Sequence, residues 1–353
     1  GKDRAPHEVL AACSLLLAAL LALWGAYAAA VRRGRELPSY RLALLCLSFA
    51  ACSWGMNVLN KSLVVALGAP SLVTAAQMLM TVAGTVLFAR DKIAGSWDEA
   101  LKWCSVPMFF FGMLVSSLFT YEYMSLSLLT VVRNMGPLVT LPIERAVMPP
   151  EKQPSVSLEG VAALLLVLAG AVVYCRAVPG ALPRVGFAFA LLNMVLAIAD
   201  RLLQRRLLTT ECRGMSNEAC VLQNNLLGLV PTLILGTALG EVGRFDAGTW
   251  LRSSATLLLP MSGLVGSGIC YFAIAVQREI SATSFMVLQN TVRLAVVCAG
   301  VAIFGDPLGG ETQAMGLAMS FSGAMLYGKT QVDAAEEARR RAADGERRKL
   351  LPQ

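Results

Sequence analysis

A chain of 353 residues that is 56% hydrophobic, only 15% charged and of mean hydropathy +0.62 does not suit water, since soluble domains carry about 25% charged residues. One histidine, His7, and nine cysteines without a Cys-x-x-Cys pair leave little for metal or redox chemistry, so neither a metalloenzyme nor a bound cofactor is expected. The net charge of +7 suits nucleic acid only if the basic residues gather on one face; they lie between apolar runs instead, and nucleic acid is not expected as a partner.

A bilayer span needs about 20 mainly apolar residues. The first such run, residues 9–30, has two readings: an extra anchor helix, which its length favours, or a cleaved signal peptide ending in Ala28, Ala29 and Ala30. Ten more runs follow near 42–67, 71–88, 107–124, 129–148, 161–174, 185–203, 219–239, 257–274, 282–304 and 314–327. Cytosolic connections should hold most Lys and Arg. Of the 30 in the chain, 21 lie on the side of Arg32, Arg33, Arg35 and Arg41, six lie on the other, and Lys61, Arg133 and Arg293 lie inside spans. That split predicts ten core helices with the tail in the cytosol, where its mixed charges suit solvated helix or disorder.

Residues 125–134 align with 281–290 at an offset of 156, opening the fourth and ninth core helices. Five helices separate them, an odd number, so the halves are expected to be inverted in the membrane, as in many transporters. The expected fold class is therefore an all-α polytopic membrane protein, a ten-helix core of two inverted five-helix repeats plus an N-terminal extra helix. Its expected divisions are 1–40, an anchor or signal segment with a basic linker, then the repeats 41–178 and 179–330, and a charged tail 331–353.

Polar side chains inside spans cost a few kcal/mol unless they meet a cavity or a partner. In chain order they are Asn57, Asn60 and Lys61, then Tyr121, Glu122 and Tyr123, then Arg133, Asn134 and Glu144. The second half adds Asn193 and Asp200, the run Gln223, Asn224 and Asn225, then Ser262, Ser267 and Tyr271, and last Gln289, Asn290 and Arg293. Lys61, Arg133 and Arg293 suit phosphate. Amides suit the edges of a base, and Tyr121, Tyr123 and Tyr271 suit stacking on a base or sugar. A sugar joined to a nucleoside diphosphate uses all of these.

Plainer roles stand beside these. Glu144 and Asp200 are expected to pair with Arg145 and Arg201 at the cytosolic interface. Asn57 and Asn193 divide evenly between pocket and interhelical hydrogen bonding, and Lys61 between substrate and snorkelling. Gly263, Gly266 and Gly268 follow no strand, so helix packing is expected of them and not a phosphate loop. No Walker motif or Ser-His-Asp set is present, so an enzyme is not expected.

At Asn60-Lys61, at 123–127 with Arg133-Asn134, at Leu222-Gln223-Asn224-Asn225 and at Val287-Leu288-Gln289-Asn290-Thr291, the chain resembles the nucleotide-sugar transporters of the drug/metabolite transporter superfamily, nearest to the GDP-mannose carriers. Those carriers have Phe-Tyr-Asn-Asn and Gly-Ala-Leu-Asn-Lys at the last two places; here Asn224, Asn225 and Asn290 are kept, and Arg293 lies two positions beyond the missing Lys. The resemblance implies exchange of a cytosolic nucleotide sugar, GDP-linked ahead of UDP-linked, for a lumenal nucleoside monophosphate in Golgi or endoplasmic reticulum membrane. It implies a substrate site among the residues above from Asn60 to Arg293. Membrane lipid is a further partner, and a homodimer is left open. The rivals are a phosphorylated-metabolite antiporter and a non-transporting membrane scaffold.

Overall fold

The apolar runs fold as helices in the computed structural model, which describes residues 4–35, 38–123, 132–177, 184–246, 248, 250, 255–304 and 310–350; the side chains of 4–6, 61, 64–65, 114–115, 117–123, 151, 255, 297–304, 335–336 and 338–350 lie outside that description. In chain order the helices are α1 Arg4–Arg32, α2 Pro38–Leu67, α3 Pro70–Phe88, α4 Trp97–Trp103, α5 Ser105–Tyr123, α6 Gly136–Val147, α7 Leu158–Arg176, α8 Arg184–Thr209, α9 Asn217–Ala238, α10 Ala255–Glu279, α11 Ala282–Phe304 and α12 Gly310–Leu350. No strand occurs among the described residues. Seven helices among them are long and apolar enough to cross a membrane, and the chain is an all-α polytopic membrane protein. Helices outrun the apolar runs because backbone hydrogen bonding does not stop at the hydrocarbon edge: α8 continues to Thr209, and α12 runs through the charged tail to Leu350.

Two compact units divide the chain, each drawing on both sequence halves. The first comprises residues 1–119, 192–280 and 295–307, and the second 120–191, 281–294 and 308–353.

In the first unit, Val9 and Cys13 of α1 are buried with Cys52, Leu59 and Leu63 of α2, Val73 of α3, and Leu258 and Val265 of α10. The Trp24 indole N–H donates to the buried Ser48 Oγ at 3.0 Å, and its ring stacks on Phe272 at 6.3 Å. Residues 9–30 thus pack as part of this unit's core. A Cβ on Gly263 would overlap Met80, one on Gly266 would press Met56 at 3.3 Å, and one on Gly268 would meet Cys52 Sγ at 2.9 Å. The three glycines serve close packing, as expected. Asn193 ties α8 to α5 by donating to the Met113 carbonyl at 2.7 Å and Ser116 Oγ at 2.9 Å. Asn57 is exposed and donates to Ser53 of its own helix at 2.7 Å, a bond within the helix and not between helices.

In the second unit, α7 and α12 touch backbone to backbone. A Cβ on Gly170 would lie 2.5 Å from the Gly316 carbonyl oxygen, and one on Gly316 would lie 2.7 Å from the Gly170 carbonyl oxygen. Small residues let helices approach this closely, the main packing device available in lipid. Backbone cannot yield as a side chain can, so Gly316→Ala is expected to cost about 1–3 kcal/mol, read as a lower Tm of the purified protein. An unchanged Tm would contradict the contact.

Helices α6 and α11 run antiparallel: Asn134 meets Asn290, Thr140 donates to Met286 Sδ at 3.0 Å, and Glu144 reaches residues 282–283. Here one expectation is corrected. Glu144 is fully buried and does not pair with Arg145; its carboxylate accepts from Ala282 N at 2.6 Å, Thr283 N at 2.9 Å and Thr283 Oγ1 at 2.7 Å, capping α11. Neighbouring side chains on a helix point about 100° apart, and Arg145 is exposed. The first unit uses the same device, with buried Glu241 accepting from Ser71 N at 2.9 Å and Leu72 N at 3.1 Å at the start of α3. Asp200 lies 3.4 Å from Arg201 as expected, but it is buried rather than interfacial, and both its oxygens also accept from Gln204 at 2.9 Å.

Candidate functional site

The first unit holds two polar groups drawn from the expected residues. In one, Gln77 Nε2 donates to Asn60 Oδ1 at 2.8 Å and to Ser262 Oγ at 3.0 Å, joining α2, α3 and α10. A turn further along α3, Thr81 Oγ1 lies 3.0 Å from Ser267 Oγ. Gln77 and Thr81 are buried; sequence reasoning passed over Gln77, although an amide in an apolar run was the signal to find it. The side chains of Lys61, Tyr121 and Tyr123 lie outside the described residues.

The second group is built on α9, whose start is capped by Ser216 accepting from Ala219 N. Gln223 Nε2 donates to the Ala100 carbonyl at 2.5 Å and to Cys104 Sγ at 3.0 Å, and Asn224 Oδ1 accepts from Trp103 Nε1 at 2.7 Å. Asn225 is buried and turns its Nδ2 onto its own helix at Val221. Tyr271, half-buried, packs beside the cluster of Trp103, Cys220 and Val221 and meets Phe272 edge-on at 5.5 Å. Trp103 lies outside every expected span, so nothing in the sequence marked it. The helix it ends is fastened by a capping box between Ser96 and Glu99 and by Gly214 N donating to Glu99 Oε1 at 2.8 Å. The Ser96 amide first, then that of Gly214, holds the Glu99 carboxyl below the usual range.

The second unit brings Asn134, Asn290 and Arg293 together. Arg293 Nη1 donates to Asn290 Oδ1 at 2.7 Å, and Asn290 Nδ2 donates to the Asn134 carbonyl at 3.3 Å. Asn134 and Asn290 are 156 residues apart in the chain and are joined by this bond. Both are buried, and Asn134 Oδ1 has no hydrogen-bond partner among the described residues. A buried polar atom left so is costly, and a ligand N–H or hydroxyl would satisfy it. Arg133 and Gln289 are half-buried beside these two residues in the chain. The cation suits a phosphate oxygen, and the open acceptor suits a hydroxyl or N–H of the same ligand. No cluster of metal-ligating groups occurs among the described residues.

Comparisons with known proteins bear on this arrangement. The GDP-mannose transporter GONST1 of Arabidopsis thaliana is 24% identical over 58% of this chain and 62% of its own length, so the match covers less than two thirds of that protein. The GDP-fucose transporter 1 of Arabidopsis thaliana is 24% identical over 74% of this chain and 77% of its own, and the nucleotide sugar transporter SLC35D2 of Homo sapiens 22% identical over 83% and 87%. A crystal structure superposes over 83% of this chain and 98% of its own with a TM-score of 0.60 at 18% identity, a likeness of fold alone. Residues 40–328, from α2 into α12, match the Triose-phosphate Transporter family, and the chain belongs to that family.

Proposed function

We propose that the protein is a carrier and not an enzyme, exchanging a cytosolic nucleotide sugar, GDP-linked ahead of UDP-linked, for a lumenal nucleoside monophosphate across a Golgi membrane, with endoplasmic reticulum second and the tail cytosolic. The observation that carries this reading is the linked set Arg293, Asn290 and Asn134, which places a guanidinium, two amides and an unpartnered acceptor inside a membrane-spanning chain, where polar groups mark substrate paths. In this reading Arg133 and Arg293 hold phosphate, with Lys61 as a further cation. Gln223, Asn224 and Asn225 take the base, Tyr121, Tyr123 and Tyr271 flank base or sugar, and Asn60, Asn134, Ser267, Gln289 and Asn290 bond the hydroxyls. The names of the GDP-sugar and nucleotide-sugar relatives support it.

The family's name favours a second reading, exchange of phosphorylated metabolites. Thermal stabilisation separates the two, because a ligand at 100 times its Kd adds about 2.7 kcal/mol to the form that binds it. GMP is expected to raise the Tm of the purified protein more than UMP, and both more than phosphate or a triose phosphate. Stabilisation by the triose phosphate alone would favour the second reading.

A further inference from the structure

We infer that the short helix α4 fixes the hydrogen-bond polarity of Gln223 and Asn224, making Trp103 a specificity-positioning residue for the base; this rests on the nucleotide reading above. An amide has a donor end and an acceptor end, and rotation ordinarily lets either end face a ligand. Here the partners forbid it. An indole N–H only donates, so the Asn224 atom 2.7 Å from Trp103 Nε1 is Oδ1. A backbone carbonyl only accepts, so the Gln223 atom 2.5 Å from the Ala100 oxygen is Nε2. Turning either amide over sets donor against donor or acceptor against acceptor.

What remains for a ligand is one amide of each kind: Asn224 Nδ2, a donor, and Gln223 Oε1, an acceptor, neither of which has a hydrogen-bond partner among the described residues. The helix behind them does not give easily. Trp103 is fully buried, and the far end of α4 is held by the Ser96–Glu99 box and by Gly214. For a base held in one orientation by its ribose and phosphates, a fixed donor on one residue and a fixed acceptor on the next suit a carbonyl next to a ring N–H, the edge of guanine and uracil. The same pair rejects an amino group next to a bare ring nitrogen, the edge of adenine and cytosine. Buried hydrogen-bonding sites reject the wrong pattern strongly because their own groups are left unpaired.

The test is the ratio of apparent Kd values for AMP and GMP, and for CMP and UMP, measured by nucleotide protection of the purified full-length protein. The wild-type protein is expected to favour the keto base of each pair by at least about tenfold. Trp103→Phe keeps the ring but loses the donor, so Asn224 turns freely; its ratio is expected to fall to within about threefold of one while competition by phosphate stays the same. Asn224→Asp still accepts from Trp103 but replaces the outward donor with an acceptor, so its preference for the keto base is expected to vanish, and it decides the matter if Trp103→Phe does not fold. A wild-type ratio near one, or both variants keeping the wild-type ratio, overturns the inference and leaves the nucleotide reading standing. Failure of the wild-type protein to bind any nucleotide overturns both.

Discussion

Replacing Arg133 or Arg293 with alanine is expected to slow nucleotide exchange at least about tenfold, equivalent to about 1.4 kcal/mol, while leaving the folded protein intact. Each is a half-buried cation in a span or at its mouth, a position that costs a few kcal/mol unless a partner or ligand repays it. Arg293 donates to Asn290 Oδ1 at 2.7 Å, which helps to aim its guanidinium, a planar group that suits phosphate oxygens. Lysine at either position keeps the charge but not the fork, so Arg293→Lys should recover part of the loss and not all of it. Wild-type exchange in both alanine variants, measured in liposomes at matched insertion, would remove phosphate neutralisation by these residues.

The loss of Glu144 is expected to be a matter of stability rather than transport chemistry. Its carboxylate satisfies two backbone N–H groups and one hydroxyl at the start of α11, and a negative charge there also meets the positive end of the helix. Alanine leaves three buried donors with nothing to accept from them, at a cost of about 2–4 kcal/mol. Glutamine keeps one acceptor oxygen and should cost roughly half of that. The check is the Tm of both variants in detergent, with the order wild type, Glu144→Gln, Glu144→Ala. Equal Tm values would mean that the cap contributes nothing.

Seven of the eleven expected spans are helices long and apolar enough to cross a membrane among the described residues, legible because each is an apolar run of about the length a bilayer demands, and the packing of Gly263, Gly266 and Gly268 followed from the lack of any strand before them. The offset of 156 spoke of likeness and not of contact, and the bond between Asn134 and Asn290 was not expected from it. What stayed hidden was tertiary. Glu144 sits beside Arg145 in sequence, and adjacency suggested an ion pair, but its partners are 138 and 139 residues away. Trp103 shows the same limit from the other side. Its donation to Asn224 crosses 121 residues, and no local pattern announces that a loop-helix indole will fix an amide in a span. Gln77 was different, since an amide within an apolar run is visible in the sequence and its bridge to Asn60 and Ser262 is what burial demands of it.

The most direct measurement of the carrier reading is counter-transport by the purified full-length chain in proteoliposomes preloaded with GMP, UMP or phosphate, with labelled GDP- and UDP-sugars outside. Loading with GMP is expected to drive uptake of a GDP-sugar well above empty vesicles, and loading with phosphate is not. Uptake indifferent to the nucleotide inside, or no uptake above protein-free vesicles for any pair, would contradict nucleotide-sugar exchange by this protein.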